Sequence, residues 1–270
     1  MKSFYVFSKE DDLSYQVANK IKNDLINNGL SFEEEKPDLV ISVGGDGTML
    51  KVIHKFIKHL DEIHFCGIHT GTLGFYTDYL VMEVDDLIAQ IINDKYQEIA
   101  FNMVSCLIES EENSKVIYGL NEIRVENSVH TQVIEIFVSN NYFETFRGNG
   151  LCFASPTGST GYNKSLGGAI MHPKTEAMQM SEIAAINNLA YRSLGSPLIL
   201  TKDHPVKIIL ERIDGAVLGY DNFFINLETR FPTLKSLTFQ LSPKKVKFVR
   251  YRRFAFMDRV RKNFVNNDNE

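Results

Sequence analysis

The first hundred residues alternate between short apolar runs rich in β-branched residues and longer stretches with apolar side chains at helical spacing. Leu13, Val17, Ile21 and Leu25, for example, recur every four residues, which predicts an amphipathic helix that Gly29 ends. Strands that alternate with helices predict parallel pairing, and so a doubly wound α/β domain over residues 1–100. The predicted elements are strands at 4–7, 38–43 and 63–68 and helices at 11–28, 49–60 and 83–94.

After Asn102 the pattern changes to short runs rich in Val, Ile and Phe, which polar turns separate. This texture predicts hairpins, and so a second, mainly β domain over residues 101–249. Residues 174–189 are predicted to form a helix, and the spacing of Met257, Val260 and Phe264 predicts a final helix that packs on the body of the protein. The predicted strands of this part are 103–109, 115–120, 132–138, 143–147, 206–210, 217–220, 223–227 and 237–241.

Composition excludes several classes of protein. The chain has 270 residues, 44% of them hydrophobic and 23% charged, which allows one large domain or two of ordinary size with ample core. Its three cysteines, Cys66, Cys106 and Cys152, lack CxxC spacing, so no disulfide framework or thiolate zinc site is expected and a reducing compartment fits. The N-terminus does not resemble a signal peptide, and no stretch reaches the ~18 apolar residues of a membrane span. The sequence therefore predicts a soluble, cytoplasmic protein without membrane partners.

Two patterns of charged or metal-binding residues are better explained without a ligand. Nine of the 29 basic residues lie between Lys244 and Lys262, but the net charge of −5 and the helical spacing there favour a solvated strand and helix over a nucleic-acid site. Four histidines recur every five residues from His54 to His69. Because five residues along a helix turn a side chain by about 140°, His54 and His59 point apart. No metal site is predicted from these histidines.

The sequence GGDGT at 44–48 follows a predicted buried strand directly and precedes a predicted helix. Glycines at such a turn adopt backbone angles closed to other residues and let a ligand approach the main chain. Free amides at the start of a helix attract phosphate groups. Phosphates repel a carboxylate, so Asp46 indicates either chemistry or a metal. The alternative is that Asp46 caps the helix through its side-chain oxygen.

A second unusual stretch runs from Arg147 to Gly168 and holds six of the chain's 17 glycines. Uncharged hydroxyls accompany these glycines, a combination that suits a neutral or anionic polar ligand lying along the backbone. A long solvent loop is the alternative, which apolar residues such as Tyr162 and Ile170 disfavour. The hydroxyls belong to Ser155, Thr157, Ser159, Thr160 and Ser165.

Taken together, these motifs resemble those of the NAD kinase family, and the likeness covers nearly the full chain. GGDGT alone is shared with diacylglycerol-kinase-like and phosphofructokinase-like enzymes, whereas the NE and PTGST-x-Y motifs narrow the resemblance. The motifs in order are GGDGT at 44–48, GTLGF at 71–75, NE at 121–122 and SPTGSTGYNKSLGGAIMHP at 155–173.

The resemblance implies an α/β N-terminal domain, a β-sandwich-like C-terminal domain, and residues 250–270 packing back on the first. It also implies a kinase that transfers the γ-phosphate of ATP to the 2′-hydroxyl of the adenosine ribose of NAD, producing NADP. Mg²⁺ is expected to arrive with ATP and keep several waters, so no protein metal site is expected. Homodimers or homotetramers are implied, while polyphosphate stays open as an alternative donor.

The resemblance also assigns roles to individual residues. Asp46 would be the base that takes the proton from the ribose hydroxyl, and Gly47 would face the nucleotide phosphates. Phe75 would line the adenine pocket, and Asn121 with Glu122 would bind ribose hydroxyls. The remaining dinucleotide contacts would come from Thr160, Gly161, Tyr162 (by stacking), Asn163, Lys164 and Ser165, with Arg147, Asn149 and Ala184 completing the pocket.

Two positions depart from the family pattern. The family usually has aspartate where this chain has Asn149, and alanine where it has Gly161. The first change removes a charge near the nicotinamide, so the preference between NAD and NADH stays open, and the second leaves more room beside Tyr162. Two other functions also stay open: a lipid or sugar kinase that shares only GGDGT, and a dinucleotide sensor without catalysis.

Overall fold

A computed structural model describes residues 1–71, 74–252 and 256–265 and divides the chain into two compact units. Unit 1 comprises residues 1–101 and 244–270, and unit 2 comprises residues 102–243. Each unit has its own cluster of buried hydrophobic side chains. The predicted fold class is confirmed, because an N-terminal α/β part carries a parallel sheet and the C-terminal part is mainly β.

Unit 1 is built on a parallel sheet with the strand order β5-β4-β3-β1-β2. The middle strand is buried along its whole length, as its β-branched run predicts. Among the described residues, no helix is long and apolar enough to span a membrane. The elements are β1 (Ser3–Ser8), α1 (Asp12–Asn27), β2 (Ser31–Phe32), β3 (Leu39–Val43), α2 (Asp46–Lys55), β4 (His64–His69), β5 (Tyr79–Leu80), a 3₁₀ turn (Val81–Glu83) and α3 (Val84–Asn93).

The helices of unit 1 follow the predicted pattern with one difference in length. The Asp11 carboxylate caps α1 by accepting the N–H of Ser14 at 2.9 Å, and the predicted apolar stripe of this helix packs in the core. Helix α2 ends at Lys55, although the apolar pattern continues to residue 60. Phe56 and Leu60 are nevertheless buried, because the turns after α2 bring them back to the core.

Unit 2 contains antiparallel strands whose buried side chains form one hydrophobic core. One sheet has the order β13-β12-β11-β8-β15-β16, and the strands β10, β9, β14 and β17 pair in that order, while β6 pairs with β7. The first strand, β6, begins in unit 1, and β17 ends there. The elements are β6 (Gln97–Ser110), β7 (Ser114–Gly119), β8 (Glu122–Glu126), β9 (Gln132–Val138), β10 (Asn141–Gly148), β11 (Gly150–Ala154), a 3₁₀ turn (Thr157–Thr160), α4 (Tyr162–Ser165), β12 (Ala177–Ile183), β13 (Leu198–Thr201), β14 (Val206–Leu210), β15 (Val217–Tyr220), β16 (Phe223–Asn226), α5 (Leu227–Arg230) and β17 (Leu234–Arg250).

The helix predicted at 174–189 is wrong. Residues Ala177–Ile183 form β12, which lies between β11 and β13 in an antiparallel sheet. Met178 and Met180 point into the core of unit 2, while Gln179 and Ser181 are buried on the opposite face. The segment thus follows a two-residue period, and pairing on both sides outweighs the helix propensity of its Ala, Met and Glu residues.

The glycine-rich stretch is more ordered than a loop, since it includes β11, the 3₁₀ turn and α4. At the other end of the chain, β17 is far longer than the strand predicted at 237–241. Its last residues pair in parallel with β4, where Lys247 and Phe248 lie opposite His64 and Phe65. A final helix, α6 (Phe256–Phe264), follows in unit 1, but its buried residues are Phe256 and Arg259, whereas Met257 and Phe264 of the predicted apolar spacing are exposed.

Candidate active site

The GGDGT turn joins β3 to α2 in unit 1. Gly44 has φ +153°, and a Cβ atom built there would lie 2.3 Å from the Thr48 hydroxyl oxygen. Gly45 is extended and precedes the first residue of α2, Asp46. The turn therefore needs glycine at position 44, both for its backbone angle and for the close approach of Thr48.

The Asp46 carboxylate is turned toward the second glycine-bearing turn of unit 1. Its two oxygens accept the backbone N–H groups of Phe75 at 2.7 Å and Tyr76 at 3.0 Å. A Cβ atom on Gly74 would lie 2.1 Å from one of these oxygens, so only glycine allows this approach. The two Asp46 oxygens therefore accept hydrogen bonds from a turn that is distant in sequence, instead of capping helix α2, which was the alternative role.

Burial raises the pKa of the Asp46 carboxyl above its usual value, because removing the group from water disfavours its charged form. Four interactions oppose this rise: the hydrogen bonds from Phe75 and Tyr76, and the positive charges of Arg259 and Arg250. Asp46 is therefore a partly desolvated carboxylate that binds a proton more tightly than usual. The two amides fix the orientation of its oxygens. Such a group suits a general base near neutral pH.

Two arginines from the C-terminal part of unit 1 hold the turn that binds Asp46. Arg259 on α6 donates to the Gly74 carbonyl at 2.7 Å and also to the Asp78 carboxylate. Arg250, at the end of β17, donates to the same Asp78 oxygen and is 1% exposed. Desolvation lowers the pKa of Arg250 to about 10. Sequence reasoning missed these three residues, since the basic cluster gave no sign of which cations would be buried.

The other predicted residues of unit 1 lie beside this turn. Gly47 is exposed at the start of α2. The Phe75 ring packs against two aromatic rings of α6, with centroid distances of 6.0 Å to Phe256 and 6.1 Å to Phe264. Unit 1 therefore brings Asp46, Gly47 and the backbone of Phe75 to neighbouring positions.

In unit 2, the NE motif at the start of β8 is fixed by a carboxylate that the sequence did not reveal. Asp221 accepts the backbone N–H groups of Leu120 at 2.8 Å and Asn121 at 2.7 Å, and its own N–H donates to the Glu122 carbonyl at 3.1 Å. Asp221 is 7% exposed and has φ +46°. A sharp turn after β15 thus positions both residues of the motif.

The PTGST turn packs directly against the NE motif. The Ser155 N–H donates to the Asn121 carbonyl at 2.8 Å, and the hydroxyls of Ser155 and Thr157 both donate to the Leu120 carbonyl. A Cβ atom on Gly158 would lie 1.9 Å from the Asn121 carbonyl oxygen. The two motifs, at 121–122 and 156–160 in the sequence, therefore form one surface in the fold.

Glu122 is the most perturbed carboxyl of this surface. Its side chain is 6% exposed, and its Oε2 has no hydrogen-bond partner among the described residues. Burial, and after it the nearby negative charge of Asp221, raise the pKa of Glu122 to about 7, while Arg124 acts in the opposite direction. Arg124 lies 3.6 Å from Glu122, bonds to Glu126 at 3.1 Å and sits 5.4 Å from the Tyr162 ring. No sequence motif marks Arg124 as part of this surface.

A cavity of about 380 Å³ in unit 2 collects three of the predicted binding residues. Asn149 donates its side-chain N–H to the Asn127 carbonyl at 3.0 Å, a bond that an aspartate could not make. Ala184 has φ +46° and is exposed where β12 ends. The lining residues are Glu126, Asn127, Ser128, Asn149, Tyr162, Ile183, Ala184, Gly215 and Val217.

The remaining predicted residues have mixed positions. Thr160 donates its hydroxyl to the Thr157 carbonyl at 3.2 Å, and Lys164 and Ser165 are exposed on α4. Asn163, in contrast, is fully buried and accepts the Ser181 hydroxyl at 2.7 Å. The Arg147 guanidinium lies over the Tyr191 ring at 4.2 Å.

The second family departure, Gly161, has room for a side chain. A Cβ atom there would lie 3.4 Å from the Gly158 carbonyl oxygen and 3.7 Å from Glu122 Oε2, which are ordinary contacts. Across residues 1–71, 74–252 and 256–265, no group of three or more His, Cys, Asp or Glu side chains could hold a metal ion.

Comparison with known proteins shows a close match along the chain. The ATP-NAD kinase N-terminal domain family matches residues 4–96, and the ATP-NAD kinase C-terminal domain family matches residues 120–251. An NAD kinase of Latilactobacillus sakei is 40% identical over 98% of this chain and 98% of its own length. NAD kinase 1 of Bacillus cereus is 41% identical over 97% of this chain and 98% of its own length.

Two solved structures share the fold. The crystal structure of yeast NADH kinase complexed with NADH has a TM-score of 0.84 at 18% identity and covers 99% of this chain and 88% of its own. An NAD kinase from Archaeoglobus fulgidus in complex with ATP has a TM-score of 0.73 at 22% identity and covers 98% of this chain and 97% of its own.

Proposed function

The chain belongs to the ATP-NAD kinase family, and from this membership we propose that it transfers the γ-phosphate of ATP to the 2′-hydroxyl of the adenosine ribose of NAD. The products are NADP and ADP. The observation that carries the mechanism is the geometry of Asp46, a partly desolvated carboxylate aimed by the amides of Phe75 and Tyr76.

Asp46 acts as the general base in this reaction. The ribose oxygen attacks the γ-phosphorus of ATP, its proton passes to an Asp46 oxygen, and the bond between the γ-phosphorus and the β,γ-bridging oxygen breaks to release ADP. Each carboxylate oxygen has a second lone pair beyond the one that accepts an amide, so proton transfer does not require either hydrogen bond to break. The raised pKa of Asp46 makes it a stronger acceptor for that proton.

Residues of unit 2 supply the dinucleotide contacts. Glu122, with a buried oxygen lacking a partner in the described parts of the chain, supports binding of a ribose hydroxyl together with Asn121. Tyr162 offers a partly exposed ring beside the cavity for stacking. The other contacts we propose are Thr160, Gly161, Lys164 and Ser165 near this ring and Arg147, Asn149 and Ala184 around the cavity. We assign Asn163 the role of holding α4 in place instead of a dinucleotide contact, since its side chain is bound to Ser181.

Mg²⁺ enters the reaction as part of the MgATP substrate and neutralises phosphate charge. The proposed compartment is the cytoplasm, because all three cysteines are free and buried thiols, a state that a reducing environment maintains. A homodimer or homotetramer is proposed from the family resemblance, and light scattering of the purified protein measures it.

The first experiment measures NADP formed from NAD, or NADPH formed from NADH, with an NADP(H)-specific dehydrogenase as the coupling enzyme and ATP or polyphosphate as donor. The wild-type protein should form NADP from NAD and MgATP. A protein that binds dinucleotide without consuming ATP would be a sensor, and one that phosphorylates only lipids or sugars would have an acceptor other than the one proposed.

Replacing the base tests the mechanism. Asp46→Asn keeps the size of the side chain but removes the proton acceptor and turns an N–H group toward one of the two amides, so turnover should fall by about 10²–10⁴-fold while NAD binding, followed by calorimetry, changes little. A mutant with a wild-type rate would exclude Asp46 from proton transfer.

A further inference from the structure

One peptide group in unit 1 lies between a guanidinium and the catalytic carboxylate. The carbonyl oxygen of Gly74 accepts a hydrogen bond from Arg259 Nη1 at 2.7 Å. The N–H of the same peptide group, which belongs to Phe75, donates to Asp46 Oδ2 at 2.7 Å. Because a trans peptide is planar and its C=O and N–H point in opposite directions, fixing one end fixes the direction of the other.

We propose that Arg259, on the last helix of the chain, is a positioning residue for Asp46: it sets the plane of the Gly74–Phe75 peptide and so aims the Phe75 amide at the base. The inference rests on the proposed function and extends it to a helix that lies about 200 residues away in sequence from Asp46.

Arg259 is itself held so that it can perform this task. Its side chain is largely buried, and its second nitrogen bonds to Asp78, which also accepts Arg250 from β17. Asp78 is fixed in turn, since its N–H donates to the Gly67 carbonyl at 3.0 Å. The guanidinium thus spans both ends of the 74–78 turn, a geometry that needs a planar group with several donors.

The contact also affects the chemistry of the base. The Arg259 cation polarises the peptide group through the Gly74 carbonyl, which strengthens the hydrogen bond from the Phe75 N–H to the Asp46 carboxylate. The charged groups that face Asp46 are Arg259 from α6 and Arg250 from β17. Both lower the pKa of its carboxyl, as do the hydrogen bonds from the neutral amides of Phe75 and Tyr76. Asp78 lies between the two arginines and partly balances their charge.

Three variants separate aiming from general support of the fold. Arg259→Met removes both the charge and the bonds, whereas Arg259→Lys keeps a charge but cannot bridge Gly74 and Asp78 together. Arg261→Met, on the exposed face of the same helix, is the matched control. Steady-state rates with NAD and MgATP should be measured from pH 5 to 9, together with the melting temperature of each protein.

For Arg259→Met we expect kcat to fall by about 10²-fold, since small errors in the position of a catalytic group have effects of this size. KM for NAD should stay within a few fold of the wild-type value. The acidic limb of the pH profile should move to higher pH, because Asp46 loses a nearby positive charge and binds its proton more tightly. Arg259→Lys should move the acidic limb part of the way back to its wild-type position and should recover a smaller part of kcat. Arg261→Met should match the wild type.

A purely structural role predicts another result: lower melting temperature and fewer active molecules, with the pH profile unshifted. That outcome, or an unchanged kcat in a folded Arg259→Met protein, would overturn the inference while leaving the kinase reaction intact. Carbon-13 NMR of the aspartate carboxyls, with Asp46 assigned from the Asp46→Asn spectrum, provides a readout without turnover. If the wild type forms no NADP, the proposed function fails, and an unshifted Asp46 titration in Arg259→Met would then reject the positioning role separately.

Discussion

At the level of single residues, the approach of Gly74 to Asp46 gives the clearest requirement for one residue type. A methyl group at position 74 would lie 2.1 Å from a carboxylate oxygen, which is far closer than any contact allows. Gly74→Ala should therefore displace the Asp46 carboxylate and lower kcat by at least tenfold, at a cost of about 1–3 kcal/mol in stability. The coupled assay and a urea melt measure both effects.

Gly71→Ala provides the control for that substitution. It lies in the same GTLGF motif, and a Cβ atom there would have no neighbour within 4 Å among the described residues. If both variants were equally active, the carboxylate would have to tolerate a different position, and the amides of Phe75 and Tyr76 would not be essential for its direction.

Glu122 makes the stability of the protein depend on pH. An acid whose pKa rises from 4.5 when unfolded to about 7 when folded costs stability as pH rises between these values. This shift corresponds to about 3 kcal/mol, most of it lost between pH 5 and pH 8. Glu122→Gln removes the dependence, so its stability relative to the wild type should increase by a value of that order between pH 5 and 8.

Denaturant unfolding at both pH values measures the Glu122 effect. Other groups titrate in both proteins and cancel in the comparison, which makes the difference between wild type and variant the informative quantity. A difference that does not change with pH would mean that the Glu122 carboxyl is solvated in solution.

At the level of elements, the turn between β15 and β16 supports the NE motif through Asp221. This carboxylate accepts the N–H groups of Leu120 and Asn121, and bonds to a charged acceptor contribute about 1.5–3 kcal/mol each. Asp221→Asn replaces one acceptor oxygen by an N–H group that faces backbone donors. We expect KM for NAD to rise by about tenfold with a smaller change in KM for ATP, because unit 2 supplies the proposed ribose contacts.

Asp203→Asn, in an exposed turn of the same unit, is the control for Asp221→Asn. An equal rise in both KM values, or none, would show that the NE motif keeps its position without the carboxylate. Glu122 provides a second readout, since the loss of a neighbouring negative charge should lower its pKa.

The elements also show where local pattern stops being informative. Strand β3 and helix α1 can be predicted from local sequence alone. The apolar run of β3 is buried along its whole length, and the apolar spacing of α1 marks the face that the helix buries. The strand Ala177–Ile183 was predicted as a helix, because its seven residues contain good helix formers and its two-residue period is short. Neighbouring strands decide its structure, and those lie elsewhere in the sequence.

The candidate site divides in the same way. The glycines and Asp46 are visible as a local motif, since a turn between strand and helix needs them side by side. Arg259 and Asp221 are not, because both contact residues distant in the chain. Arg124 lies beside Glu122 in the same strand, and only its contact with the Tyr162 ring is distant in sequence. Charged residues are common, and a single sequence gives no signal that distinguishes a buried arginine from a solvated one.

At the level of the whole molecule, one strand contributes to both hydrophobic cores. In β17, Phe239 belongs to the unit 2 core and stacks on Phe153 with ring centroids 3.8 Å apart, whereas Val249 belongs to the unit 1 core. Phe248, next to Val249, contacts Phe65 and Phe101 in unit 1. The two core clusters share no residue among those described. Cooperative units of stability tend to follow such clusters, so the two units should respond separately to damage in their cores.

Phe239→Ala and Phe248→Ala are a matched pair for testing this, because both side chains are fully buried in the same strand. Each change should cost about 3–5 kcal/mol locally. Hydrogen exchange followed by mass spectrometry should show loss of protection within residues 102–243 for Phe239→Ala and within residues 1–101 for Phe248→Ala. If either substitution lowered protection uniformly, β17 would join the two cores into one cooperative unit, and a mutation far from Asp46 could then reduce activity through global unfolding alone.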